Sequence, residues 1–117
     1  MDLSGPSIKW LQRTKDIDME TLGIALSGIQ SAQTRLAVSA HNVANLLTED
    51  FRPQRVEQTQ MSSGGSRARV QQARHPEPVS LEREIVSQIQ AKTAYTASGS
   101  VFSVGAELQG ALLDIFA

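Results

Sequence analysis

The sequence predicts a mainly α-helical chain in which two long helices, one N-terminal and one C-terminal, pair as a coiled-coil-like hairpin with a short β-hairpin or loop between them. Three observations lead there. Apolar residues alternate at four- and three-residue spacing from Leu22 to Leu47, and a second long amphipathic run begins at Leu81. Between the two runs, Pro53, Gly64, Gly65, Pro76 and Pro78 rule out a continuous helix. Only 4% of the residues are aromatic although 40% are hydrophobic, so the apolar side chains suit narrow helix seams better than a thick core.

Residues 1–18 are expected to form a flexible N-terminal extension, interrupted early by Gly5 and Pro6. Ile8, Trp10 and Leu11 are placed to form one amphipathic turn within it. Residues 19–47 make the first helix, with Asp18 or Thr21 as its cap. Its stripe is Leu22, Leu26, Ile29, Leu36, Ala40, Val43 and Leu47, with polar Gln33 in the remaining place, which is the seam pattern of a coiled coil. Ile24, Ala25, Ala32, Ala37 and Ala44 widen that stripe, mostly with small side chains.

Residues 48–79 form the connector. Phe51 to Thr59 reads as extended, Ser62-Ser63-Gly64-Gly65-Ser66 as a turn, and Arg67 to Ala73 as a return strand. Residues 80–117 make the second helix, with Ser80 as N-cap and Glu82 and Glu84 placed favourably at the positive helix start. Its early stripe (Leu81, Ile85, Val86, Ile89) and its later stripe (Ala94, Ala97, Val101, Val104, Leu108, Leu112, Ile115) do not share one heptad register. A stutter or a change of packing partner is therefore expected near Lys92 to Tyr95.

The 117 residues carry a net charge of −1 and no cysteine, which excludes disulfides and thiolate metal sites and gives no sign of nucleic-acid binding. No apolar run approaches the roughly 20 residues of a transmembrane helix, and residues 1–20 lack the apolar core of a cleavable signal peptide. His41 and His75 have no partner at metal-ligand spacing, Gly64-Gly65 lacks the Lys of a phosphate loop, and no serine sits in a nucleophile elbow. No catalytic residue, cofactor or metal is expected.

One pattern is specific. Ala25-Leu26-Ser27-Gly28-Ile29-Gln30-Ser31-Ala32-Gln33-Thr34-Arg35-Leu36, then Ala40-His41-Asn42-Val43-Ala44-Asn45, then Thr48 and Phe51, resembles the N-terminal signature of bacterial flagellar axial proteins, the rod and hook subunits. Glu49-Asp50 stands where that family has Pro-Gly. In the second helix, Glu84-Ile85-Val86, Ala94-Tyr95, Ala97 and Leu112-Leu113 are similar to the family's C-terminal helix, although its Gln-Arg is absent and Ser98 replaces its later Asn. The short middle is most like a proximal rod subunit. The residues before Met19 are an extension or an alternative start relative to that pattern.

The resemblance implies a structural subunit of the basal-body rod. Such a subunit is exported by the flagellar type III apparatus without a cleavable signal and assembles in the periplasm with other axial subunits and with itself. The expected assembly interface comprises Leu22, Leu26, Ile29, Leu36, Asn42, Val43, Asn45, Phe51, Ile85, Ile89, Tyr95, Val101, Phe102, Leu108 and Leu112. Asn42 and Asn45 serve that interface, local helix capping, or both, and Gln33 either sets register or faces a less buried part of the bundle. Tyr95 and Phe102, seven apart, are packing anchors. Arg52, Arg55, Arg67, Arg69 and Arg74 serve either solubility, charge pairing between subunits with acids such as Glu82, Glu84, Glu107 and Asp114, or contact with an anionic surface such as lipid headgroups or peptidoglycan. An adaptor or regulator that reuses the axial helices without entering a rod is the alternative.

Overall fold

The computed structural model describes residues 6–116; side-chain surroundings are described for most of these, excepting 6–8, Leu11, Asp18 and Phe116. The chain order is α1 (Pro6–Ala44), β1 (Gln54–Gln60), β2 (Ser66–Gln72) and α2 (Leu81–Phe116). It is mainly helical, with a two-stranded antiparallel hairpin, and forms a rod of 73 × 23 × 16 Å.

Helix α1 begins well before the expected start. Residues 6–18, expected as a flexible extension, are helical from Pro6 onward, and residues 1–5 lie outside the described residues. Pro6 acts as a helix starter: at the first helical position its missing N–H costs nothing and its fixed φ is already helical. The helix stops at Ala44, three residues earlier than expected, and Asn45–Leu47 form a turn. Asn45 closes it locally. Its Nδ2 donates to His41 O (2.9 Å), and Thr48 Oγ1 donates to Asn45 Oδ1 (3.2 Å). Asp50 then takes φ 54°, in the left-handed region, and turns the chain toward the strands.

The strands pair in one register, Gln54 with Gln72 through Gln60 with Ser66. The turn is closed by Met61 N–H donating to Gly65 O (2.7 Å), with Gly64 at φ 95° supplying the bend. Helix α2 starts where the sequence indicates, with Arg83 N–H near Ser80 Oγ (3.4 Å) and Glu84 N–H donating to Ser80 O (3.0 Å).

The helices lie side by side in opposite directions. Met19 meets Gln109, Leu22 meets Gly105, Gly28 meets Ser98, Arg35 donates to Gln90 (3.1 Å), and Ser39 meets Glu84. Their line of closest approach is not the large apolar stripe. On α1 it follows Ala25, Gly28, Ala32, Arg35, Ser39 and Asn42, at spacings of three and four. On α2 it follows Glu84, Ala91, Ser98 and Gly105, seven apart without interruption. Of the two outcomes expected near Lys92 to Tyr95, the stutter is absent, and the early and later stripes instead face different surroundings. Small side chains occupy the seam because only they let two backbones come this close; a Cβ added at Gly28 would lie 2.5 Å from Ser98 Oγ. The buried apolar residues are Ala25, Ala32, Val38 and Ala91, so little hydrocarbon is removed from water within the chain.

Candidate functional site: two flanks of a helix pair

A helical repeat of 100° per residue puts the residues beside the seam on two flanks. On one flank lies the β-hairpin. Ser66 N–H donates to Ser27 Oγ (3.1 Å), the Ser31 and Ser66 hydroxyls are 3.0 Å apart, and a Cβ at Gly64 would meet Ile24 Cδ1 at 3.1 Å. Thr21, Ile24, Ser27, Gly64, Gly65, Ala97 and Val101 surround a recess of about 580 Å³ there. The hairpin binds mainly through hydroxyls and backbone, which explains why serines on α1 stand where a helix core would carry larger apolar residues.

On the opposite flank, nothing among the described residues covers the helices. Ala32, Gln33 and Leu36 from α1 and Ile85, Gln88, Ile89, Ala91, Lys92 and Tyr95 from α2 line a groove of about 530 Å³. The helical repeat extends this face to Leu22, Leu26 and Ile29 on α1 and to Phe102 on α2. Leu26, Leu36, Ile85, Ile89 (60% exposed), Tyr95 and Phe102 are all exposed, while Leu22, Ile29 and Val43 are half-buried. The leucine stripe of α1 thus forms an outer face beside the helix seam. The two stripes of α2 also find their reason: Ile85 and Ile89 belong to the open flank and Val101 to the hairpin flank of one regular helix. Leu108 is exposed and Leu112 half-buried toward the far end.

The two asparagines separate. Asn45 caps the turn. Asn42, 2% exposed, is a tertiary tie: its Oδ1 accepts from Gln54 N–H (2.9 Å), and its Nδ2 donates to Gln54 O (2.8 Å) and to Glu84 Oε1 (3.1 Å). Ser39, 1% exposed, donates to Glu84 O (3.0 Å). One buried amide therefore joins α1, the start of β1 and the first turn of α2. Ser31, Ser39 and Gln54 were not singled out as site residues in the sequence, and Glu84 was read there as a favourable charge at the helix start and as part of the axial-like pattern, not as a tertiary tie. A serine at the spacing of the small stripe was the available signal, but it reads equally well as a solvated helix residue. Among the described residues, no buried side-chain polar atom lacks a partner.

Phe51 is half-buried beside the His41 ring (centroids 5.6 Å apart). Gln33 is exposed within the open flank. Arg55 pairs with Glu77, Arg52 reaches Gln72, and Gln71 donates to Glu57 (2.7 Å) on the outer side of the hairpin. Among the described residues, no group of three or more His, Cys, Asp or Glu comes together, and no helix is long and apolar enough to cross a membrane. What the arrangement can do chemically is associate: it offers a two-helix apolar surface on a scaffold fixed by polar ties. Compared with protein-family models and with curated proteins, the chain matches none.

Proposed function

We propose that this protein is a structural subunit of the bacterial flagellar basal-body rod, most like a short proximal subunit, which works by packing its helices against other axial subunits and performs no catalysis. The observation that carries the proposal is the open flank. Leu26 and Leu36 of the axial-like stripe are exposed together with Ile85, Ile89 and Tyr95, with Ile29 half-buried beside them, although each exposed residue would gain roughly 1 kcal/mol from completing its burial. In this reading the helix pair is a coiled-coil-like hairpin, with the buried Asn42 amide tying α1 to β1 and α2. Surfaces repeated with a fixed rotation build a filament. Export by the flagellar type III apparatus and residence in the periplasmic rod belong to the same proposal.

The turn after α1 supports this reading. Asp50 stands where the resemblance has glycine, and its φ of 54° is a conformation glycine adopts freely. The substitution at Glu49-Asp50 is therefore compatible with the axial pattern.

The test is to purify basal bodies from a strain carrying an affinity-tagged copy and to probe the rod by immunoblot and image reconstruction. The tagged chain is expected in the rod fraction, and deletion of its gene is expected to stop rod completion. Intact rods that lack the chain in the wild-type strain defeat the proposal.

A further inference from the structure

The surface area is large for the mass. A compact 12.7 kDa monomer exposes about 6,200 Å², whereas this chain exposes 8725 Å². The excess, about 2,500 Å², is well above the roughly 800 Å² per partner that a standard stable interface needs. The hairpin already occupies one flank, and the open flank contributes Leu26, Leu36, Ile85, Ile89, Tyr95 and Phe102 to that exposed area.

The face is two helices wide, which a single added helix would cover only in part. A second copy of the same width covers it fully. The polar groups on the face fit such a pairing. Lys92 is the charged side chain among the groove's lining residues, it lies on α2, and the Gln33 amide stands beside the same groove on α1. Rotating a copy by 180° about an axis parallel to the helices places each α1 opposite the partner's α2. It then brings Gln33 of each copy across from a Lys92 ammonium of the other, an acceptor against a donor, and it keeps the two lysines on opposite sides of the axis.

We propose that the open flank is a homodimer interface, in which Leu26, Leu36, Ile85, Ile89 and Tyr95 of two copies form an antiparallel four-helix layer with both β-hairpins outermost. The pairing is isologous and closes on itself. It gives the free chain a soluble form in which the flank is covered, and it stands or falls on the purified protein, independently of the rod.

Sedimentation equilibrium of the full chain is expected to give a dimer whose dissociation follows mass action. Ile89→Glu, which puts a carboxylate into the buried face, is expected to yield monomer at concentrations where the wild type is dimeric, with far-UV circular dichroism unchanged. Val104→Glu, on the other flank, leaves the dimer intact. If Ile89→Glu disturbs folding, the exposed Gln33 position carries the test. Gln33→Lys is expected to weaken association at least tenfold through facing lysines, Gln33→Glu to tighten it severalfold, and Lys92→Glu to restore it in the Gln33→Lys background. A wild-type monomer throughout the micromolar range, a species larger than a dimer, or indifference to both Ile89→Glu and Gln33→Lys overturns the proposal.

Discussion

The two flanks of the helix pair are made from the same two helices and differ in almost every other respect. The hairpin flank is paved with Ser27, Ser31 and small residues, and it is closed by hydrogen bonds to Ser66. The open flank carries leucine, isoleucine and tyrosine and is closed by nothing among the described residues. In an ordinary domain the larger apolar side chains would face inward. Here close helix approach reserves the interior for Ala, Ser and Gly, and the large residues are displaced sideways. Shape is held by polar ties and close helix contact, and large apolar side chains are left exposed.

If that division is right, substitutions should sort by position and not by hydrophobicity. The largest loss of stability is expected for Asn42→Ala. It strips the buried Gln54 backbone of both its partners and Glu84 of a donor, at a cost of about 2–4 kcal/mol, read from urea denaturation at low protein concentration. A cost below about 0.5 kcal/mol would show that the amide is incidental.

Ala91→Leu tests the seam. Ala91 is 1% exposed, and a larger side chain there must push the helices apart, costing about 1–3 kcal/mol despite the added hydrocarbon. Stabilisation by this change would mean that the seam is not closely packed.

Ser31→Ala probes the hairpin flank. Loss of the Ser31–Ser66 contact is expected to cost about 1 kcal/mol and to raise amide hydrogen exchange in the hairpin before it does so in the helices. Uniform exchange across the chain would show that hairpin and helices open as one unit.

The smallest effect is expected on the open flank. Ile89→Lys should alter the stability of the dilute chain by no more than about 0.5 kcal/mol, because the side chain is already largely in water. A loss as large as that for Ala91→Leu would erase the distinction between the flanks.

The far end of the rod sharpens the comparison further. Around Asn42 the helices are tied by three hydrogen bonds to the strand and to α2, whereas between Met19 and Gln109 the polar contact is a single amide-to-sulfur approach of 3.0 Å. Stability near the hairpin is thus carried by specific geometry and toward the far end by helix contact alone.

Several elements were written in local sequence. The apolar periodicity, Ser80 and the Gly64-Gly65 turn located α2, most of α1 and the hairpin, because capping, turn chemistry and helical repeat depend on residues a few positions apart. The start of α1 was legible in principle from Pro6, but proline both begins and breaks helices, and the neighbouring residues did not say which. Tertiary structure alone decided which stripe became the seam. Leu22-Ile29-Leu36 and Ala25-Ala32-Ser39 both recur every seven residues, three positions apart, so periodicity cannot rank them. The choice was made by how closely α1 could approach Ser98 and Gly105, and by the tie between Asn42, Gln54 and Glu84, residues brought together from across 42 positions of chain.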